Sequence, residues 1–202
     1  MIRLLLATKN RGKVVELRGL LGLAVLKNVE VTALFDLPYV SAPNENGKTF
    51  PENARIKALY FASAYRLMCI ADDSGLVVGA LGGRPGVLSA RYSGPDATDT
   101  SNIEFLLEDL KPYPRPWKAA FVCSTACALP GRLIAEADGR IAGEIIPDPR
   151  GTGGFGYDPV FLVEGAGKTM SELSTEDKNR ISHRGQAVRK LVADLKNQGV
   201  LG

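Results

Sequence analysis

Leu67-Met68-Cys69-Ile70-Ala71-Asp72-Asp73-Ser74-Gly75-Leu76 is the stretch on which the reading of the fold turns. Its apolar run stops at two adjacent carboxylates, as a parallel strand does where its carboxyl end opens on a ligand site. Two neighbouring acids repel unless a cation or a proton offsets them, so a divalent metal is the first expectation there. Asp-Asp-Ser-Gly also has the residue types of a chain-reversing turn, and that plainer reading stands beside the first.

A second apolar run, Ile2 to Leu6, leads directly into Ala7-Thr8-Lys9-Asn10-Arg11-Gly12-Lys13. Val14, Leu17, Leu20 and Leu21 then recur at helical spacing, so the segment reads strand, turn, helix. Asn10 to Lys13 fall where the helix begins, and the unpaired N–H groups of such an end attract phosphate. Thr8, Lys9, Asn10 and Lys13 add hydroxyl, amide and ammonium donors to it. The loop lacks the glycine spacing of a Walker loop, and taken alone it is equally a solvated basic turn.

Between and beyond these segments the period alternates: strand 2–7, helix 12–22, a polar loop to 48, helix 50–65 and strand 67–71. Thr49-Phe50-Pro51-Glu52 has the spacing of a capping box, which gives Glu52 a structural task. Ala54, Ala58, Phe61, Ala62 and Tyr65 form a buried stripe on that helix, with Lys57 off the stripe and turned either to solvent or to the neighbouring site. Asn102 to Leu110 reads as a short helix, and Lys111 to Pro116 as a stiff loop. Strands 119–129, 132–137 and 140–146 follow, separated by the hairpin signals Pro130-Gly131 and Asp138-Gly139. After the glycine-rich 149–156 come a strand over 159–163 and a last helix capped by Ser182. The pattern is α/β, parallel first and antiparallel in the middle.

Composition bounds the function. With 202 residues, 45% hydrophobic and 23% charged, the chain suits one domain spanning 1–202 with ample core. A net charge of +3 permits an anionic small ligand without demanding nucleic acid, and no basic, aromatic-interleaved tract marks a nucleic-acid surface. Neither a signal-peptide layout nor the ~18 consecutive apolar residues of a membrane span is present, so a cytoplasmic protein without membrane contact is expected. Cys69, Cys123 and Cys127 are odd in number and sit in apolar segments, as buried free thiols do. Zinc is disfavoured, because His183 is the single histidine and Cys123 and Cys127 lack ligand spacing.

Several motifs then stand in order: Thr8 to Lys13; Thr49-Phe50-Pro51-Glu52-Asn53-Ala54 with Lys57-Ala58; Ala71 to Leu76; Gly83-Arg84-Pro85-Gly86-Val87-Leu88-Ser89-Ala90-Arg91-Tyr92; Gly154-Phe155-Gly156-Tyr157-Asp158-Pro159; and Ser182-His183-Arg184. From about residue 2 to 196 this arrangement resembles the Ham1/inosine triphosphatase family of nucleoside triphosphate pyrophosphohydrolases. The resemblance implies an elongated mixed β-sheet flanked by helices, in two lobes with a central cleft. It implies a magnesium-dependent homodimer that cuts deaminated purine triphosphates, XTP, ITP and dITP, into monophosphate and pyrophosphate.

By the same resemblance, the phosphate-binding loop falls on Thr8, Lys9, Asn10, Arg11, Gly12 and Lys13, and the site lysine on Lys57. The metal-binding glutamate falls on Glu45 and the proton-accepting, metal-binding aspartate on Asp73. Substrate contacts fall on Ser74, Phe155, Gly156, Tyr157, Asp158, Lys178, His183 and Arg184. Lys13, Lys57, Lys178 and Mg²⁺ would neutralise the triphosphate while Asp73 orients and deprotonates the attacking water, with Asp72 as a structural partner of the turn. Phe155 is expected to stack on the base, and the His183-Arg184 segment to donate to its 6-oxo group. A Maf-type pyrophosphatase preferring pyrimidine or modified bases is the alternative on the same fold, and a nucleotide-binding regulator without catalysis is a further rival.

Overall fold

In the computed structural model, which describes residues 1–24 and 29–201, the strand-turn-helix opening is β1 (Ile2–Leu6) and α1 (Arg11–Leu23). There follow β2 (Val29–Ala33), α2 (Phe50–Tyr65), β3 (Met68–Val78), α3 (Asp99–Leu110), β4 (Trp117–Leu129) and β5 (Arg132–Ile145). The chain ends with β6 (Phe161–Val163), α4 (Thr175–Ile181) and α5 (His183–Asn197). The six strands form one mixed sheet in the order β2-β1-β3-β4-β5-β6. β1 pairs in parallel with β2 and β3, with Leu4 opposite both Val31 and Met68, whereas β5 and β6 are antiparallel. The α/β class with a mixed sheet and flanking helices is therefore as the sequence indicates.

The chain divides into two compact units: Met1–Asp73, Cys123–Gly139 and Arg184–Gly202 form the first, and Ser74–Val122 and Arg140–His183 the second. In the first, the two-residue period of the strands sorts side chains into two cores. Leu4, Leu6, Ile70 and Cys127 pack with Val14, Leu17 and Leu21 of α1 and Val188, Leu191 and Leu195 of α5. Leu5, Ala7, Cys69, Ala71, Ala126 and Ala128 face the other way, onto Ala54, Ala58, Phe61 and Ala62 of α2. In the second unit, Leu76, Val78, Phe121, Ile145, Phe161 and Val163 pack with Leu106 and Leu110 of α3 and with Tyr157, Val160 and Met170.

Four expectations are corrected. The strand expected to stop at 71 continues through both acids to Val78, because each carboxylate meets a cation and Leu76 and Val78 resume the apolar alternation. The two strands expected around Asp138-Gly139 are one, since β5 has a neighbour on both sides and sheet pairing overrides a local turn preference. The polar loop expected from 23 to 48 contains β2, a short alternating strand at the edge of the sheet that Glu30 disguises; its residues 25–28 lie outside the described residues. Helix α4 was not expected, although Ser174 caps it by accepting from the Asp177 N–H at 3.0 Å.

Candidate active site

Because side chains alternate along β3, Asp72 continues the face of Ile70, toward α1 and α5, and Asp73 continues the face of Ala71, toward α2. Asp72 is buried and takes an ion pair from Lys13 Nζ at 2.8 Å and two hydrogen bonds from Arg184, from Nε and Nη2, at 3.3 Å. Arg184, 2% exposed, also donates from Nη1 to Glu16 of α1. Burial alone would push the Asp72 carboxyl up, but the Lys13 ammonium and the Arg184 guanidinium outweigh it and hold it far below the usual carboxylate range. Asp72 is thus the centre of a buried ion cluster inside a strand, not part of a turn.

Asp73 has a separate set of partners. Lys57 Nζ donates to its Oδ1 at 2.8 Å, and Asn53 Nδ2 to its Oδ2 at 3.3 Å. The same ammonium pairs with Glu45 Oε2 at 3.0 Å, so two carboxylates converge on one cation. Burial raises the Asp73 carboxyl above its ordinary value against the pull of Lys57. For Lys57 burial works against the charged form, and Asp73, Asp72 and Glu45 together overcome it and raise the ammonium. Lys57 is itself buried, one turn after Asn53, which corrects its expected place off the buried stripe: Phe50, Asn53, Ala54, Lys57, Ala58, Phe61 and Ala62 share that face. Among the described residues, no three His, Cys, Asp or Glu side chains cluster as a metal cage. Glu45 and Asp73 offer two hard oxygen ligands, a set that suits a cation retaining waters or taking further oxygens from a substrate.

The expected phosphate loop is the N-terminus of α1. Asn10 caps it by accepting from the Lys13 N–H at 3.0 Å, and its own N–H donates to Thr8 Oγ1 at 3.2 Å. Lys9, Asn10 and Arg11 are exposed, and Thr8, Gly12 and Lys13 are half-buried. Lys9 Nζ lies 4.8 Å from the ring centre of Tyr39, and the Arg11 guanidinium 5.3 Å from that of Phe35. Glu52 is occupied as the capping box requires: its Oε2 accepts from the N–H groups of Lys48 and Thr49 at 2.6 and 3.2 Å.

Ser74 and the remaining expected contacts, except Arg184, belong to the second unit. Phe155 N–H donates to Asp158 Oδ2 at 3.0 Å, Lys178 Nζ donates to the same oxygen at 2.6 Å, and that ammonium lies 5.0 Å from the Phe155 ring centre. Gly154 is required there, since φ is +76° and a Cβ would stand 2.0 Å from Asp158 Oδ2. Gly156 N–H donates to Asp99 and Tyr157 Oη donates to the Ser89 carbonyl, at 2.7 and 2.8 Å. His183 is buried with its ring stacked on Phe121, centroids 4.9 Å apart. Asp158 and Tyr157 therefore brace the Phe155 loop, while Arg184 lies in the first unit with its guanidinium committed to two carboxylates.

Two functional neighbours escaped sequence reasoning. Glu16 follows Lys13 by three residues on the helix that opens at the expected phosphate loop, and Asn53 precedes Lys57 by four, the two spacings that place helical residues on one face. Each spacing was visible, but neither residue stood out without its partner.

Residues 4–194 match the sequence model of the Ham1 family. The chain belongs to that family. A dITP/XTP pyrophosphatase of Geobacillus kaustophilus is 49% identical over 192 residues, 95% of this chain and 93% of that one. One of Halalkalibacterium halodurans is 45% identical, over 93% and 95% of the two chains. The solved Ham1 protein of Staphylococcus aureus superposes with a TM-score of 0.84 at 38% identity, covering 97% of this chain and 99% of its own. Among the described residues of this Ham1 family member, no helix is long and apolar enough to cross a membrane.

Proposed function

We propose that this chain hydrolyses deaminated purine nucleoside triphosphates, dITP, XTP and ITP, to the monophosphate and pyrophosphate. The observation that carries the reading is the convergence of Glu45 and Asp73 on the Lys57 ammonium, in a chain nearly half identical to a dITP/XTP pyrophosphatase. Paired acids sharing a cation have little use in a regulator that only holds a nucleotide. The Maf-type alternative finds no support, since the matching family model and the reported relatives are those of Ham1 and dITP/XTP pyrophosphatases.

In this reading water attacks the α-phosphorus, the bond to the bridging oxygen of the β-phosphate breaks, and pyrophosphate leaves. Asp73, raised by burial and fixed by Lys57, orients the water and takes its proton. The N-terminus of α1 and the ammonium groups of Lys13, Lys57 and Lys178 oppose the charge of the phosphates. Mg²⁺ held by Glu45 and Asp73 would supply the remaining positive charge on the phosphate oxygens. Phe155 stacks on the base, and Ser74, Lys178 and His183 complete the substrate contacts. A homodimer in the cytoplasm belongs to the same proposal, to be checked by light scattering and cell fractionation.

The deciding experiment is a panel of nucleoside triphosphates with and without Mg²⁺, scored for pyrophosphate against orthophosphate. Pyrophosphate from dITP, XTP and ITP, with ATP and pyrimidine triphosphates spared, is the expected result. Orthophosphate release, or equal use of ATP, overturns the reading.

A further inference from the structure

Asn53 is 3% exposed in the first turn of α2, on a face otherwise built from alanine, phenylalanine and Lys57. Asparagine is a poor helix former, because its side chain competes for backbone groups, and burying its amide is unfavourable unless both ends are bonded. Both ends are. Its Oδ1 accepts from the Gly47 N–H at 2.9 Å and its Nδ2 donates to Asp73 Oδ2 at 3.3 Å. Gly47 lies two residues after Glu45, so one carboxamide touches the loop that carries one acid of the site and the side chain of the other.

The approach of that loop is close enough to require glycine. A Cβ on Gly47 would stand 2.6 Å from Asn53 Oδ1, 2.8 Å from Glu52 Cβ and 3.0 Å from the Asn53 nitrogen. Lys57, one turn further along α2, donates to the other oxygen of Asp73 at 2.8 Å and pairs with Glu45 at 3.0 Å. The Asp73 carboxylate is therefore held at both oxygens from adjacent turns of one helix, which blocks rotation about its Cβ–Cγ bond. Each oxygen keeps a further lone pair for a water or a cation.

We propose that Asn53 is a positioning residue: it locks the Glu45 loop to Asp73 and fixes the orientation in which Asp73 meets the attacking water. This rests on the reaction proposed above, and it assigns to Asn53 a role in turnover beyond anchoring a helix. Supporting groups one step removed from the reacting atoms change activity by about 10- to 100-fold when lost.

Asn53→Asp separates the two bonds, because a carboxylate still accepts from Gly47 N–H but faces Asp73 Oδ2 with an acceptor where a donor stood. Asn53→Ala removes both. The expected result with dITP is a fall in kcat of about 10- to 100-fold in both variants with KM within a few-fold of wild type. Hydrogen exchange of the Gly47 amide, followed without Mg²⁺, should be slow in the wild type and in Asn53→Asp and fast in Asn53→Ala. A fast-exchanging Gly47 amide in the wild type overturns the proposal whatever the variants do, so a variant that fails to fold does not protect it. Unchanged kcat in both folded variants of an active enzyme overturns the Asn53 role alone. A wild type that releases no pyrophosphate from dITP or XTP overturns the reaction and the positioning role with it, while the Gly47 exchange rate still reports the tie itself.

Discussion

Asp72 and Asp73 are covalent neighbours whose carboxylates point to opposite faces of β3, Asp72 to Lys13 and Arg184, Asp73 to Lys57 and Asn53. Their direct partners differ, although the Lys57 ammonium feels the charge of both, and the strand that carries them runs on to Val78. Their substitutions should separate accordingly. Asp72→Asn removes the carboxylate that a buried guanidinium and a half-buried ammonium share and should lower stability by about 3 kcal/mol, as breaking a buried pair does. Asp73→Asn should cost less stability, because Lys57 keeps Glu45, and should reduce turnover of dITP by about 100-fold or more, the scale of a lost general base. Urea denaturation and steady-state kinetics on both variants decide it, and the reverse pattern would exchange their roles.

The two glutamates near α2 should also part. Glu52 caps the helix through two backbone N–H groups, so Glu52→Gln should lower stability by up to ~1 kcal/mol and leave the Mg²⁺ requirement alone. Glu45 reaches the Lys57 ammonium instead, and Glu45→Gln should raise the Mg²⁺ concentration for half-maximal activity with little change in melting. Activity titrated against Mg²⁺ for each variant tests the pair. A metal defect confined to Glu52→Gln would move the ligand to Glu52.

Arg184 bears on stability. Its guanidinium bonds Asp72 and Glu16 while 2% exposed, so Arg184→Ala removes a buried countercharge that two buried carboxylates share. A stability loss of about 3–5 kcal/mol is expected, and Arg184→Lys should recover only part of it because an ammonium cannot reproduce the planar fork. Chemical denaturation measures this. A melting point unchanged in Arg184→Ala would show that the guanidinium is spent on the substrate and not on the cluster.

The three thiols give a simple check on the core. Cys69, Cys123 and Cys127 are buried free cysteines; burial pushes the Cys123 and Cys127 thiols up to about 12 and Cys69 further still. A thiol reacts as its thiolate. Ellman's reagent at pH 8 should therefore find none in the native protein and all of them after denaturation. Rapid reaction of even one in the folded state would contradict this packing.

Much of the fold was legible because its signals are local. The capping box Thr49 to Glu52 places the start of α2, and the spacing of Val14, Leu17 and Leu21 gives the buried face of α1. The corrections arise where a distant partner decides. Nothing near Asp72 in sequence announces Arg184, 112 residues away, and without it two acids read as the end of a strand. Asp138-Gly139 signals a hairpin locally, and that expectation fails because β5 is paired on both sides. In the site, the family motifs name the residues to expect, whereas the separation of Asp72 from Asp73 and the tie through Asn53 depend on strand alternation and on a loop-to-helix contact that no motif spells out.

Lys57 stands where a divalent cation between Glu45 and Asp73 would gain most, at 3.0 and 2.8 Å from their oxygens. A divalent cation bound there would compete with the ammonium for the same negative charge, although the proposed reaction uses both. Without metal, Lys57→Met should be less stable than the wild type, because burial and then Glu45 push the Asp73 carboxyl up and both acids lose the cation that offsets this. With Mg²⁺ the order of response should invert: the variant binds the metal more tightly and gains more from it. A tenfold tighter site adds about 1.4 kcal/mol at saturation, or roughly 3–6 °C in Tm for a chain of this size. Turnover of dITP in Lys57→Met should stay at least about 100-fold below wild type at every Mg²⁺ concentration, since the ammonium also fixes Asp73 and opposes phosphate charge. Melting curves across a Mg²⁺ series for both proteins provide the test. A Mg²⁺-dependent rise in Tm smaller in Lys57→Met than in the wild type would mean that Lys57 helps to build the cation site and does not compete for it.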